Sequence, residues 1–212
     1  MEAARTIVAP LLGRFGTVTL VRKIAAEILY ASGDPLSAAA LFEQAAKRLG
    51  GDRAIAVGLV ASYAALNRAG DARRSAALLP EHIDVRLALA WAELVALGGD
   101  AARGAALVAA TGSDPELARS VERVAMHQAL EAIVAGRSRD RDAVRAKLRE
   151  AELNAPKLRA GDRAFLGYLG GVALRETGLI DDARATFALA MDASPESIGA
   201  ALARRERANL DR

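Results

Sequence analysis

Along most of the chain, apolar residues and alanines recur at spacings of three and four, and the breaks between these stretches are short and rich in Gly, Asp and Pro. Such spacing gathers apolar side chains on one side of a helix, so the pattern predicts amphipathic helices joined by tight turns. The first clear break reads Ser32-Gly33-Asp34-Pro35. There Gly can end one helix in the left-handed conformation, Asp34 can cap the next, and Pro35 suits its first turn. Similar breaks are read at Gly70-Asp71, at Gly98-Gly99-Asp100, and at Thr177-Gly178, with Asp181 and Asp182 opening the following helix. Between these turns lie Gly50-Gly51-Asp52, Pro80-Glu81, Ser113-Asp114-Pro115, Ala155-Pro156 and Ser194-Pro195. The punctuation divides the chain into about five helical hairpins and one terminal helix.

Repetition with a period of 20 to 50 residues marks solenoids, in which each hairpin buries its apolar face only by stacking on its neighbours. Gly33 and Gly70 are 37 residues apart, Gly70 and Gly99 are 29 apart, and Gly99 to Gly178 spans 79, or about two units. The period is irregular, and one continuous repeat domain is the expected organisation.

Composition sharpens the helical reading. Hydrophobic residues make up 52% of the 212 residues but aromatics only 4%, and alanine supplies about a quarter of the chain. Alanine favours helices and lets their backbones approach closely, while the residues that favour strands are sparse. The net charge is only +3, and most basic residues have an acidic neighbour within a helical turn, which argues against nucleic acid as partner. The absence of cysteine excludes disulfides, thiolate metal sites and cysteine nucleophiles and is compatible with a reducing cytoplasm. The apolar stretch from Thr6 to Gly13 follows Glu2 and contains Pro10, and does not read as a signal peptide. The longest uncharged run, Ala54 to Asn67, is too short to cross a bilayer, so a soluble, cytoplasmic protein without membrane insertion is expected. Abundant Arg, Ala and Gly suggest a GC-rich bacterial source.

The segment from Ala164 to Pro195 resembles a tetratricopeptide repeat without gaps. Gly171 and Leu174 occupy the small and large positions of the first helix, Gly178 the turn, Ala183, Phe187 and Ala190 the small-aromatic-small pattern of the second helix, and Pro195 the closing proline. A second match runs from Thr19 to Gly50, with Ala26, Leu29, Gly33, Ala38, Phe42 and Ala45. In between, Ser75 and Leu79 are taken for the Ala and Phe positions of the hairpin around Gly70, Gly104 and Val108 for those of the hairpin around Gly99, and the connection from Arg137 to Asp142 lacks a matching glycine. The resemblance implies a right-handed α-solenoid of about five such hairpins over residues 17–195. An apolar segment, 1–16, precedes it, and a polar capping helix, 196–212, with Arg204, Arg205, Glu206 and Arg207, closes it.

No catalytic constellation stands out. His82 and His127 are read as structural or surface residues without a ligand partner at the i+4 spacing, and no phosphate loop, nucleotide fingerprint or nucleophile elbow is present. Asp140 with Asp142 and Asp181 with Asp182 are better read as capping carboxylates than as an acid–base pair. Gly167, Gly170 and Gly171 mark a close helix contact, and the run from Arg137 to Glu152 alternates in sign like a solvated face. No cofactor or metal is expected.

What remains is a groove. In a solenoid of this family the first helices line the concave side, which places Leu20, Lys23, Glu27 and Tyr30 on one stripe and Phe165, Tyr168, Val172 and Arg175 on another, with Arg86 and Glu93 between them. Tyrosines and paired charges suit an extended or helical peptide, although the aromatics could equally cover the core; Trp91 is assigned to the core. Some members of the family clamp a peptide's terminal carboxylate, but Glu27 stands where an asparagine is wanted, so that specificity is not expected. The expected function is therefore a non-catalytic scaffold or adaptor binding a protein or peptide. The alternatives are a self-associating protein, with a homodimer through the apolar amino-terminal segment, and a chaperone-like holder of a secreted substrate.

Overall fold

The computed structural model describes residues 2–211, which form twelve α-helices, two short 3-10 turns and no strand. They divide into two compact units, Met1–Asp100 and Ala101–Arg212. The first unit holds α1 (Glu2–Phe15), α2 (Thr19–Ala31), α3 (Pro35–Leu49), α4 (Arg53–Ala65), α5 (Ala69–Ala76) and α6 (Ile83–Val95). The second holds α7 (Ala101–Gly112), α8 (Val121–Arg137), α9 (Arg141–Glu152), α10 (Ala160–Glu176), α11 (Ile180–Ala193) and α12 (Ile198–Leu210).

The same order of packing is found inside each unit. In the first, α2 pairs with α3 and α4 with α5; α3 and α6 both pack on α4, and α1 lies on α2. In the second, α8 pairs with α9 and α10 with α11; α10 packs on α8, α12 rests on both α10 and α11, and α7 lies on α8. The Gly98-Gly99-Asp100 break, read as the turn of a hairpin, falls where the two units divide.

Four hairpins share one turn. In each, a single residue between the helices takes the left-handed conformation: Gly33 (φ 80°), Asn67 (φ 59°), Arg139 (φ 58°) and Gly178 (φ 79°). The residue after it donates its N–H back into the first helix, from Asp34 to the Leu29 carbonyl, Arg68 to Tyr63, Asp140 to Ala135 and Leu179 to Leu174. These bonds satisfy carbonyls that the helix end leaves open. Gly70 is not a turn residue, as the sequence suggested, but the second residue of α5. With Asn67 as the turn, the interval from Gly33 becomes 34 residues.

Numbering from the left-handed residue brings the cores into one register. Five residues on stand Ala38, Ala72, Val144 and Ala183, all fully buried. Nine residues on stand Phe42, Ala76, Leu148 and Phe187, of which only Leu148 is partly exposed. Ala72 and Ala76 thus replace Ser75 and Leu79 at the small and large positions, because the register follows the backbone turn rather than the nearest glycine. The two phenylalanines rest on glycines: a methyl group on Gly58 would lie 2.3 Å from the Phe42 ring, and one on Gly171 2.4 Å from Phe187. A side chain at either position would displace the ring from its seat.

Three aspartates at the expected breaks cap helices, whereas the cap position of α11 is Leu179, with no side-chain bond, and Asp181 and Asp182 lie in its first turn. Asp34, Asp52 and Asp140 accept from the backbone N–H groups of Ser37, Ile55 and Ala143 at 3.0–3.1 Å. Burial alone would raise the Asp34 carboxyl, but hydrogen bonds from Arg5 (2.6 Å to Nη2) and Ser37 outweigh it and hold the group below its ordinary value. Pro10 does not interrupt the first helix. α1 runs through it, and because Pro10 is exposed, the carbonyl it leaves unmatched lies on the solvent side.

Candidate interaction surfaces

The residues expected to line a groove meet different fates. In the first unit, Lys23 places Nζ 2.7 Å from Asp52 Oδ2, tying α2 to the cap of α4. Burial would raise the Asp52 carboxyl, but the Lys23 ammonium and the Ile55 N–H draw it below its usual range. Lys23 is thereby committed to the fold, while Glu27 is exposed and Tyr30 half-buried on the same helix. Arg86 is half-buried on α6, and Trp91 is buried on that helix.

Glu93 corrects the sequence reading. Its side chain is fully buried, and Arg73 of α5 grips both carboxylate oxygens at 2.5 and 2.8 Å. The Asp100 backbone N–H donates to the same carboxylate at 2.8 Å, and Arg73 also reaches the Gly98 carbonyl at 3.0 Å. This cluster fastens α5 and the end of the unit onto α6. Helical spacing put Glu93 on a plausible face, but it could not foresee that α5 would cover it.

In the second unit, Tyr168 and Val172 are buried, because α10 is packed by α8, α11 and α12 at once. The Phe165 and Tyr168 rings lie 5.7 Å apart and tilted by 37°. Arg175 pairs with Glu206 of α12 and, at 2.7 Å, with Glu176. Phe165 of this stripe lines a slot of about 100 Å³ between α8 and α10 with Met126, Leu158 and Leu166, rimmed by the carboxylates of Glu122 and Asp162.

The larger opening was not foreseen. Between α9 and α11, over the floor of α10, runs a groove of about 260 Å³ walled by Leu148, Ala151, Leu189 and Ala190 and floored by Gly167, Gly170 and Leu174. It continues into a more open stretch of about 370 Å³ bordered by Arg145, Arg149, Glu152 and Asp182. Leu189, at its wall, is 69% exposed. The glycine cluster read as a helix contact is divided in its roles. Gly171 seats Phe187 and Gly167 abuts Ala190, whereas a methyl group on Gly170 would touch only the tips of Leu148 and Thr186, 3.4 and 3.6 Å away. Gly170 therefore leaves bare backbone between the groove's two walls.

The two histidines are structural. His82 caps α6 by accepting from the Asp84 N–H at Nδ1 (3.2 Å). His127 is buried, with Nε2 3.0 Å from the Val108 carbonyl, fastening α7 to α8. Glu131 stands four residues after His127, a partner the sequence reading passed over, with its carboxylate 3.7 Å from Nδ1 and 3.1 Å from Lys147 Nζ. Among the described residues no group of three or more His, Cys, Asp or Glu could hold a metal ion, and no helix is long and apolar enough to cross a membrane.

Compared with protein-family models, curated proteins and solved structures, the chain matches none.

Proposed function

We propose that each unit is a short stack of tetratricopeptide-like hairpins of the right-handed, solenoid-forming kind, and that the chain is a non-catalytic scaffold holding a protein or peptide. The observation that carries this reading is the common register of the four hairpins, in which a fully buried residue, alanine in three and Val144 in the fourth, falls five positions after the left-handed residue. Such stacks offer long, sparsely functionalised surfaces, and their usual work is recognition. The carboxylates weighed for acid–base chemistry support it too. Asp140 is spent on a cap, and Asp181 and Asp182 sit in the first turn of α11, where they favour the helix dipole.

The binding surface we favour is the groove between α9 and α11. Its apolar walls suit the anchoring side chains of a helical or extended segment, and Arg145, Arg149, Glu152 and Asp182 at its open end suit that segment's polar groups. The test is selection of peptides from a displayed random library against the intact chain, followed by affinity measurement with Leu189→Arg and Thr186→Arg. Selected peptides are expected to lose at least about ten-fold in affinity for both variants, since a charged side chain would stand in the apolar channel. Peptides that bind both variants as well as the parent would refute the groove as the site.

A further inference from the structure

α1 turns its large apolar side chains outward. It buries only Ala4 and Val8 in the first unit, while Ile7, Leu11 and Phe15, each four residues after the last, are 58%, 37% and 51% exposed. The apolar surface continues through Val18 into Leu20 and Ile24 of α2, which are also exposed. A helix that needed only to cover α2 would carry polar residues on that outer face.

Basic groups collect at one end of this face, while the carboxylates on its two helices are Glu2, at the start of α1, and Glu27, in the second half of α2. No acidic residue occurs from Ala3 to Ala26. α1 ends, α2 begins and α3 ends at the same pole of the unit, because α2 and α3 form a hairpin whose turn lies at the opposite pole. That pole carries Arg14, Arg22, Lys47 and Arg48, none of which forms an ion pair among the described residues. Of the carboxylates nearest in sequence to Lys47 and Arg48, Asp52 pairs with Lys23 and Glu43 accepts from the Tyr63 hydroxyl. Lys47 and Arg48 also suit the last turn of α3, but the helix dipole does not explain three large apolar side chains facing out on α1.

We propose that this pole of the first unit, with α1 as its leading element, lies on the headgroup region of an anionic membrane. Ile7, Leu11 and Phe15 would enter the acyl boundary, and Arg14, Arg22, Lys47 and Arg48 would meet lipid phosphates. A second copy of the chain fits the same face less well, since a two-fold pairing would set these four cations against their own images. The contact lies on the bilayer rather than across it, as the 14-residue length of α1 and its Pro10 require.

The test is flotation of the full chain with vesicles of phosphatidylglycerol mixed with phosphatidylcholine, against phosphatidylcholine alone. The proposal expects binding to the anionic vesicles only and weakening by added salt. Leu11→Ser with Phe15→Ser, both at exposed positions, should abolish it. Each of Arg14→Gln, Lys47→Gln and Arg48→Gln should weaken it by about five-fold. Leu153→Ser in the second unit, also at an exposed position, should leave it unchanged. Circular dichroism verifies that each variant stays folded. Failure to bind anionic vesicles, equal binding to neutral ones, or binding that survives the α1 double variant overturns the proposal. So does a dimer, measured by light scattering, that the same double variant dissociates.

Discussion

The α2–α3 and α10–α11 hairpins turn on glycine and carry a phenylalanine nine residues later; the α4–α5 and α8–α9 hairpins make the same turn on Asn67 and Arg139 and carry Ala76 and Leu148 instead. All four close with the same backbone bond from the residue after the turn. The turn is thus set by the docking of two helices, and the residue at its centre sets only what that conformation costs. The hairpins also differ in what holds the second helix down. α3 and α11 are held by a ring seated on a glycine, whereas the short α5 is held by Arg73 reaching the buried Glu93.

The largest test of this contrast is truncation at the shared large position. Phe42→Ala and Phe187→Ala should each cost about 3–5 kcal/mol in urea unfolding, and Leu148→Ala less than about 2, because Leu148 is already partly exposed at the groove. Equal losses at all three would erase the distinction between the two kinds of hairpin. Next comes the ionic fastening of α5. Arg73→Ala removes the guanidinium that grips the buried Glu93 carboxylate and should cost about 3 kcal/mol, with little recovered in Arg73→Lys, which cannot grip both oxygens.

Tyr63 gives the α4–α5 hairpin an alkaline weakness. Tyr63 lies beneath Arg68, 5.0 Å from the ring centroid, and hydrogen-bonds Glu43. Burial first, and then Glu43, raise its hydroxyl from 10.0 to about 12. A raised value means that the folded state holds the proton more tightly. The stabilisation is complete below pH 10 and lost as the pH climbs from 10 through 12, by at most about 2–3 kcal/mol. Tyr63→Phe should flatten stability over that window relative to the parent.

Smaller effects test the turns themselves. Gly178→Ala should cost about 1–2 kcal/mol, since an alanine there must adopt φ 79°. Arg139→Gly should instead raise the unfolding free energy by about 0.5–1 kcal/mol, relief of the left-handed strain outweighing the entropy glycine brings to the unfolded chain. A loss at Arg139→Gly would mean that the arginine contributes more than its backbone.

The turns at Gly33 and Gly178 were legible because glycine is the residue a left-handed turn most often uses. Asn67 and Arg139 were not, and Gly70 drew the repeat boundary three residues too far along the chain. The caps at Asp34 and Asp52 were legible for a similar reason, being local bonds between near neighbours in sequence. The candidate groove residues were legible only as a helix face. Spacing places Glu93 and Tyr168 on one side of a helix but says nothing of α5 over the first, or of the three helices packed around the second. The groove between α9 and α11 had no sequence signal at all, since helical spacing does not tell Leu148 and Leu189, which stand at its walls, from leucines packed in a core.

By itself, then, the sequence determined the helices, most of their ends and the small residues along which they pack, because helix propensity, capping and i to i+4 spacing act over a few residues. The tertiary structure alone decided which charged groups were enclosed, which apolar faces stayed open, and that the chain gathers into two units. Those outcomes depend on which helix comes to lie on which, and that is fixed by contacts between residues 20 to 30 positions apart, such as Arg73 with Glu93, Lys23 with Asp52 and Arg5 with Asp34.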